Sequence, residues 1–134
     1  MGGGGVTFDF ENLKVYQLAL DFADFVFDVC KKMAFDYRSS IVDQLQRAIV
    51  SIANNIAEGS GKVSYREKIK YFSYALDSAK ECIPSLTIAW RQKQLTDEEN
   101  DKGRQYCDSI CKMLVKLIQF VENKELSKTT REAL

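Results

Sequence analysis

Apolar residues recur at helical spacing along almost the whole chain, and four long segments follow from that spacing alone. The first runs from about Glu11 to Ala34. Leu13, Tyr16, Leu20, Ala23, Phe27, Cys30 and Ala34 step by three or four and form one stripe expected to be buried. A second apolar stripe lies beside it: Val15, Ala19, Phe22, Val26, Val29 and Met33. Polar residues such as Lys14, Gln17, Asp21, Asp24 and Asp28 take the remainder. A helix apolar over about two thirds of its girth is too greasy for one side of a monomeric bundle. Part of this surface is therefore expected to meet another subunit.

The second segment starts at a Ser39 or Ser40 cap and runs to about Glu58, with Ile41, Leu45, Ala48, Ile52 and Ile56 as its stripe. Gly59 and Gly61 are expected to end it, because glycine enters the left-handed conformation freely. Ser64 and Glu67 form a capping box for the third, whose stripe is Tyr65, Ile69, Phe72, Leu76, Ala79, Ile83, Leu86 and Trp90. The single proline, Pro84, falls inside this stripe with both halves in phase, which predicts one bent helix rather than two. Thr96 and Glu99 open the fourth, which carries Tyr106, Ile110, Met113, Leu117 and Phe120. Residues 123–134 are polar and lack a stripe, so they read as a frayed tail. Residues 1–8, with the run Gly2–Gly5, read as a flexible lead. The segments and short links between them predict an all-α, antiparallel up-down-up-down four-helix bundle over residues 9–122.

Composition narrows the chemistry. The chain has 134 residues and no histidine. This removes Ser-His-Asp and Cys-His machinery, histidine metal ligands and the Glu-x-x-His pairs of di-iron bundles. No catalytic residue, cofactor or metal site is expected. Cys30, Cys82, Cys107 and Cys111 lie in apolar patterns without a CxxC pair, which reads as buried reduced thiols in a cytoplasmic protein. No apolar run is long enough to span a membrane, and no signal peptide is visible.

Charge is balanced overall, 19 basic against 19 acidic, but not along the chain. The third segment with its flanks carries seven basic and three acidic residues, while the first and fourth are acidic. Lys62, Arg66 and Lys70 stand at its start near Tyr71 and Tyr74; Arg91 and Lys93 stand at its end. Basic residues interleaved with aromatics suit phosphates and bases, so these five are candidate nucleic-acid contacts. A solvated face pairing with neighbouring acids is the competing reading.

In the second segment, Gln44, Arg47, Ser51, Asn55 and Glu58 step by three or four beside the apolar stripe, with Asn54 adjacent and Gly59 following. Such side chains fix specific packing within or between subunits. The stretch from Gln44 to Gly59 resembles the hallmark, roughly Q-L-x-R-A-x-x-S-I-x-x-N-I-A-E-G, of the four-helix bundle family encoded in intervening sequences of bacterial large-subunit rRNA genes. That family also looks related to the accessory variability determinant of diversity-generating retroelements. Phe10, Leu13, Val15 and Tyr16 are similar to its F-x-x-L-x-V-W/Y opening, and Tyr65–Leu86 to its third helix. The resemblance covers about residues 8–122. It implies a ring-shaped homopentamer without a catalytic centre. Two functions stay open: an oligomeric scaffold binding RNA, DNA or a nucleic-acid-associated partner such as a reverse transcriptase, and a structural or protein-binding assembly without nucleic acid.

Overall fold

Caps and corners decide where the apolar stripes become helices. The computed structural model describes the backbone of residues 5–133 and the side chains of residues 5–128. Its four long helices are α1 (Lys14–Lys32), α2 (Asp43–Gly61), α3 (Tyr65–Arg91) and α4 (Asp97–Ala133), and no strand occurs among the described residues. The main contacts run α1 to α2, α2 to α3, α3 to α4 and α4 back to α1, enclosing one core. Met1–Gly4 of the glycine lead lie outside the described residues.

The first segment is not one helix. A short 3-10 turn, Asp9–Asn12, is set off from α1 by the extended backbone of Leu13. Phe10 in that turn packs edge-on against Tyr16, with centroids 4.9 Å apart. After α1, a 3-10 turn (Phe35–Tyr37) and a π-helical turn (Arg38–Val42) lead into α2. Neither Ser39 nor Ser40 caps it; the Ser40 hydroxyl donates instead to the Tyr37 carbonyl at 3.5 Å.

The structure selects the other of the two stripes in α1. Val15, Ala19, Phe22, Val26, Val29 and Met33 are buried, whereas Leu20 and Phe27 remain 42% and 40% exposed. Both stripes have helical period, so spacing alone does not rank them. In α3 the buried face is also displaced from the large-residue stripe. It is made of Phe72, Ala75, Ser78, Ala79, Cys82, Ser85, Leu86 and Ala89, while Trp90 sits outside, donating from Nε1 to Asp97 at 2.7 Å. Small residues face inward because the neighbouring helices come close. Pro84 and Lys80 are both exposed residues, and α3 continues unbroken past the hydrogen bond that the proline cannot make.

Gly59 does not end α2; the helix passes through it to Gly61. Its lack of a side chain serves packing instead. A Cβ there would stand 2.7 Å from the Phe72 ring of α3. The left-handed conformation is used elsewhere, by Lys93 (φ 61°) after α3. There Gln94 N donates to Ala89 O at 2.8 Å and Lys93 N to Trp90 O at 2.9 Å, closing a Schellman motif. The Gln94 side chain then accepts from Ala34 N at 2.8 Å and ties this corner to the α1–α2 connection.

The Thr96–Glu99 box is complete, with both reciprocal bonds at 3.0 Å. The Ser64–Glu67 box is half made: Glu67 N donates to Ser64 Oγ at 3.0 Å, but the Glu67 carboxylate turns toward Lys62. Beyond residue 122, where a frayed tail was expected, α4 continues as one helix to Ala133. Residues 122–128 are exposed, as their polar sequence requires.

Gly59→Ala should lower unfolding free energy by about 1–2 kcal/mol, since overpacking against buried Phe72 outweighs the gain in helix propensity. Gly61→Ala meets nothing within 4 Å and should raise it by up to about 1 kcal/mol; chemical denaturation separates the two. Glu99 is pushed up by partial burial, but hydrogen bonds from Lys32 and Thr96 outweigh this and hold it below the ordinary value of 4.5. Its contribution is therefore present above about pH 4.5 and is lost as pH falls through the lowered folded value. Glu99→Gln, which keeps the cap but not the ion pair, should cost less than about 1 kcal/mol at neutral pH and progressively nothing in acid.

Candidate interaction surfaces

The polar residues of α2 divide into two groups. Ser51, Asn55 and Gly59 work inside the subunit. Ser51 Oγ lies 2.8 Å from Ser78 Oγ on α3, and Asn55 Nδ2 donates to Ser51 Oγ at 3.0 Å and to Ser51 O at 2.9 Å. A half-buried hydroxyl pair of this kind fixes the register of two helices whose facing residues are otherwise small and smooth. Gln44, Arg47, Asn54 and Glu58 are exposed. Among the described residues Arg47 pairs with Asp43 of its own helix, at 3.2 Å, and Glu58 with Lys62 at 3.4 Å. A shallow groove runs along the α2–α3 seam between Arg47, Ser51, Ser78 and Glu81. Another opens on the opposite flank of α2, where Phe27 of α1 joins Val50 and Asn54.

The five candidate basic residues separate into two sites. Arg66 and Arg91 lie 25 residues apart on one helix, or about 38 Å. Lys62, Arg66 and Lys70 gather at the start of α3, whereas Arg91 and Lys93 stand at its far end. The Lys62 ammonium sits 5.1 Å from the Tyr71 ring centre, and that of Lys70 lies 5.7 Å from Tyr71 and 6.0 Å from Tyr74. The two tyrosines meet edge to face, 5.8 Å apart. Lys62 is also engaged by carboxylates: its hydrogen bond to Glu58, with Glu67 nearby, raises its pKa. Arg66 has no ion-pair partner among the described residues.

Two structural roles escaped the sequence. Lys68 Nζ donates to Ser60 O at 3.0 Å and Gly59 O at 3.4 Å, so it caps the C-terminal end of α2. A lysine shortly after a helix-ending Gly-x-Gly was the available signal. Ser78, the partner of Ser51, gave none, because its place on the buried face is set by the close approach of α2.

All four cysteines are free thiols, three buried and Cys111 half-buried. Burial pushes Cys30 up to about 11 despite nearby Arg38. A hydrogen bond with Cys107, then burial, raises Cys82, and burial raises Cys111. Protonated thiols are poor nucleophiles. No group of three His, Cys, Asp or Glu side chains among the described residues is placed to hold a metal, and no described helix is long and apolar enough to cross a membrane.

A sequence model of the 23S rRNA-intervening sequence protein matches residues 11–116. The chain belongs to that family. A crystal structure from Bacteroides thetaiotaomicron, of a protein with unknown function from the S23 ribosomal protein family, superposes on it with a TM-score of 0.72 at 24% identity. The alignment covers 78% of this chain and 95% of that one, and it shows the shared fold. No curated protein matches the chain. The family match takes in the whole polar face of α2, the basic start of α3 and most of α4.

The α2–α3 register is testable by mutation. Ser51→Ala leaves the Ser78 hydroxyl without its partner and should cost about 1–3 kcal/mol. Adding Ser78→Ala should recover part of that loss, which a double-mutant cycle by urea denaturation measures.

Proposed function

We propose that the chain is a non-enzymatic, homo-oligomeric helical-bundle protein that forms a ring-shaped pentamer. In this reading it presents the start of α3 to RNA, DNA or a nucleic-acid-associated partner such as a reverse transcriptase. The observation that carries the assembly is the pair of large apolar side chains that α1 leaves outside the core, while Cys30 of the same stripe is buried and Tyr16 and Ala23 are half-buried. Leu20 and Phe27 are each about two-fifths exposed, and Phe27 shares a groove with Val50 and the outward polar residues of α2. Covering each of these two side chains adds roughly 1 kcal/mol at every contact, and a ring repeats the contact. Gln44, Arg47, Asn54 and Glu58 then form the polar part of the same surface, which accounts for a family motif broader than the internal packing requires.

The basic, tyrosine-rich start of α3 supports the nucleic-acid role, and repetition around a ring strengthens weak contacts. The absence of histidine supports a role without catalysis. Buried free thiols support a reducing, cytoplasmic setting. One observation favours the second reading, a protein-binding assembly without nucleic acid: Glu58 and Glu67 partly neutralise Lys62.

Light scattering at micromolar concentration tests the assembly. The wild-type chain should show several times the 15.3 kDa of one chain. Leu20→Asp with Phe27→Asp should fall to the single-chain mass while keeping its helical circular dichroism. A wild-type monomer contradicts the proposal.

A further inference from the structure

We propose that the start of α3 is a stacking platform for single-stranded nucleic acid, with Tyr74 taking a base and Arg66 and Lys70 the flanking phosphates. This rests on the nucleic-acid reading above and narrows it to one form of strand. Arg66, Lys70 and Tyr74 stand at successive four-residue steps, so they form one row along α3, about 12 Å long. Both cations in the row are exposed, and Tyr74 leaves 46% of its surface to solvent.

The neighbours prepare the row. Tyr71 meets Tyr74 edge to face and holds its ring, while Lys62 and Lys70 lie against Tyr71. Lys62 is committed to Glu58 and Glu67, and Lys68 to the end of α2. Arg66 and Lys70 have no carboxylate partner among the described residues, and the Lys70 ammonium rests against both tyrosine rings, from which a phosphate can draw it. The next four-residue step is the buried Ser78, so the row ends at Tyr74.

Two available cations at this site are few for a duplex, whose affinity for a non-specific site comes from many neutralised phosphates. A duplex also hides the faces of its bases within the stack. A single strand offers those faces, and stacking on an aromatic ring strengthens binding by roughly 5- to 100-fold per base. The arrangement therefore discriminates between strand forms by the ring and not by charge.

The test is fluorescence anisotropy of labelled oligo-U, oligo-dT and a duplex of equal length, titrated with the full chain at low salt. Both single strands should bind more tightly than the duplex. Tyr74→Ala should weaken single-strand binding by roughly 5- to 100-fold, Tyr74→Phe should keep it, and Arg66→Glu with Lys70→Glu should abolish it. Arg91→Ala with Lys93→Ala, at the far end of α3, should change it little. Binding to duplex as tightly as to single strands, unchanged by Tyr74→Ala, overturns the platform and leaves the nucleic-acid reading standing. Absence of binding to all three probes overturns both.

Discussion

The close approach of α2 to α3 is the constraint on which the rest of the structure depends. Gly59 admits the Phe72 ring, Ser51 meets Ser78, and Ala75, Ala79, Ser78 and Ser85 keep the α3 face low. Large side chains at these positions would hold the helices apart. The Ser51–Ser78 hydroxyl pair then sets the register, because a smooth small-residue seam has little shape of its own to do so. A similar device closes the α3–α4 seam, where a Cβ on Gly103 would stand 2.9 Å from Leu86.

That seam has consequences at both flanks of α2. On the α3 side it carries the aromatic start of α3 up to the end of α2, so that Lys68 reaches the last carbonyls and Lys62 reaches Tyr71. On the α1 side, α2 turns a largely polar face outward, and the helix opposite is left with more apolar surface than the core takes up. The bundle core and the surface proposed for assembly thus arise from one choice of helix orientation.

Much of this was legible in the sequence. Four helices, the Thr96–Glu99 box, continuity through Pro84 and the burial of Cys30, Cys82 and Cys107, though not of half-buried Cys111, follow from local patterns that tertiary packing did not override. The excess apolar surface of α1 was also legible. Which of its stripes is inside was not, because both share the helical period and only the neighbours rank them. Gly59 was misread for a related reason: glycine serves both a left-handed turn and a close contact, and sequence does not say which. Lys93 took the left-handed position without glycine, since two backbone hydrogen bonds and the Gln94 tether hold that corner. At the candidate site, the grouping of Lys62, Arg66 and Lys70 was readable from spacing, but the engagement of Lys62 by two carboxylates required the corner between α2 and α3.

The chemistry of the surface follows the same division between inside and outside. Hydroxyls and thiols are spent on packing, and the residues that remain available are an apolar stripe, a polar family motif and a short row of cations ending on a tyrosine. Leu20 and Phe27 of α1 are proposed to be covered in solution by another copy of the chain. Hydroxyl-radical footprinting of the full-length protein, read by mass spectrometry, tests it most directly. Leu20 and Phe27 should be protected well below their exposure in a single chain, while Phe35, 82% exposed, should be labelled fully. Labelling of all three in proportion to their single-chain exposure would contradict it.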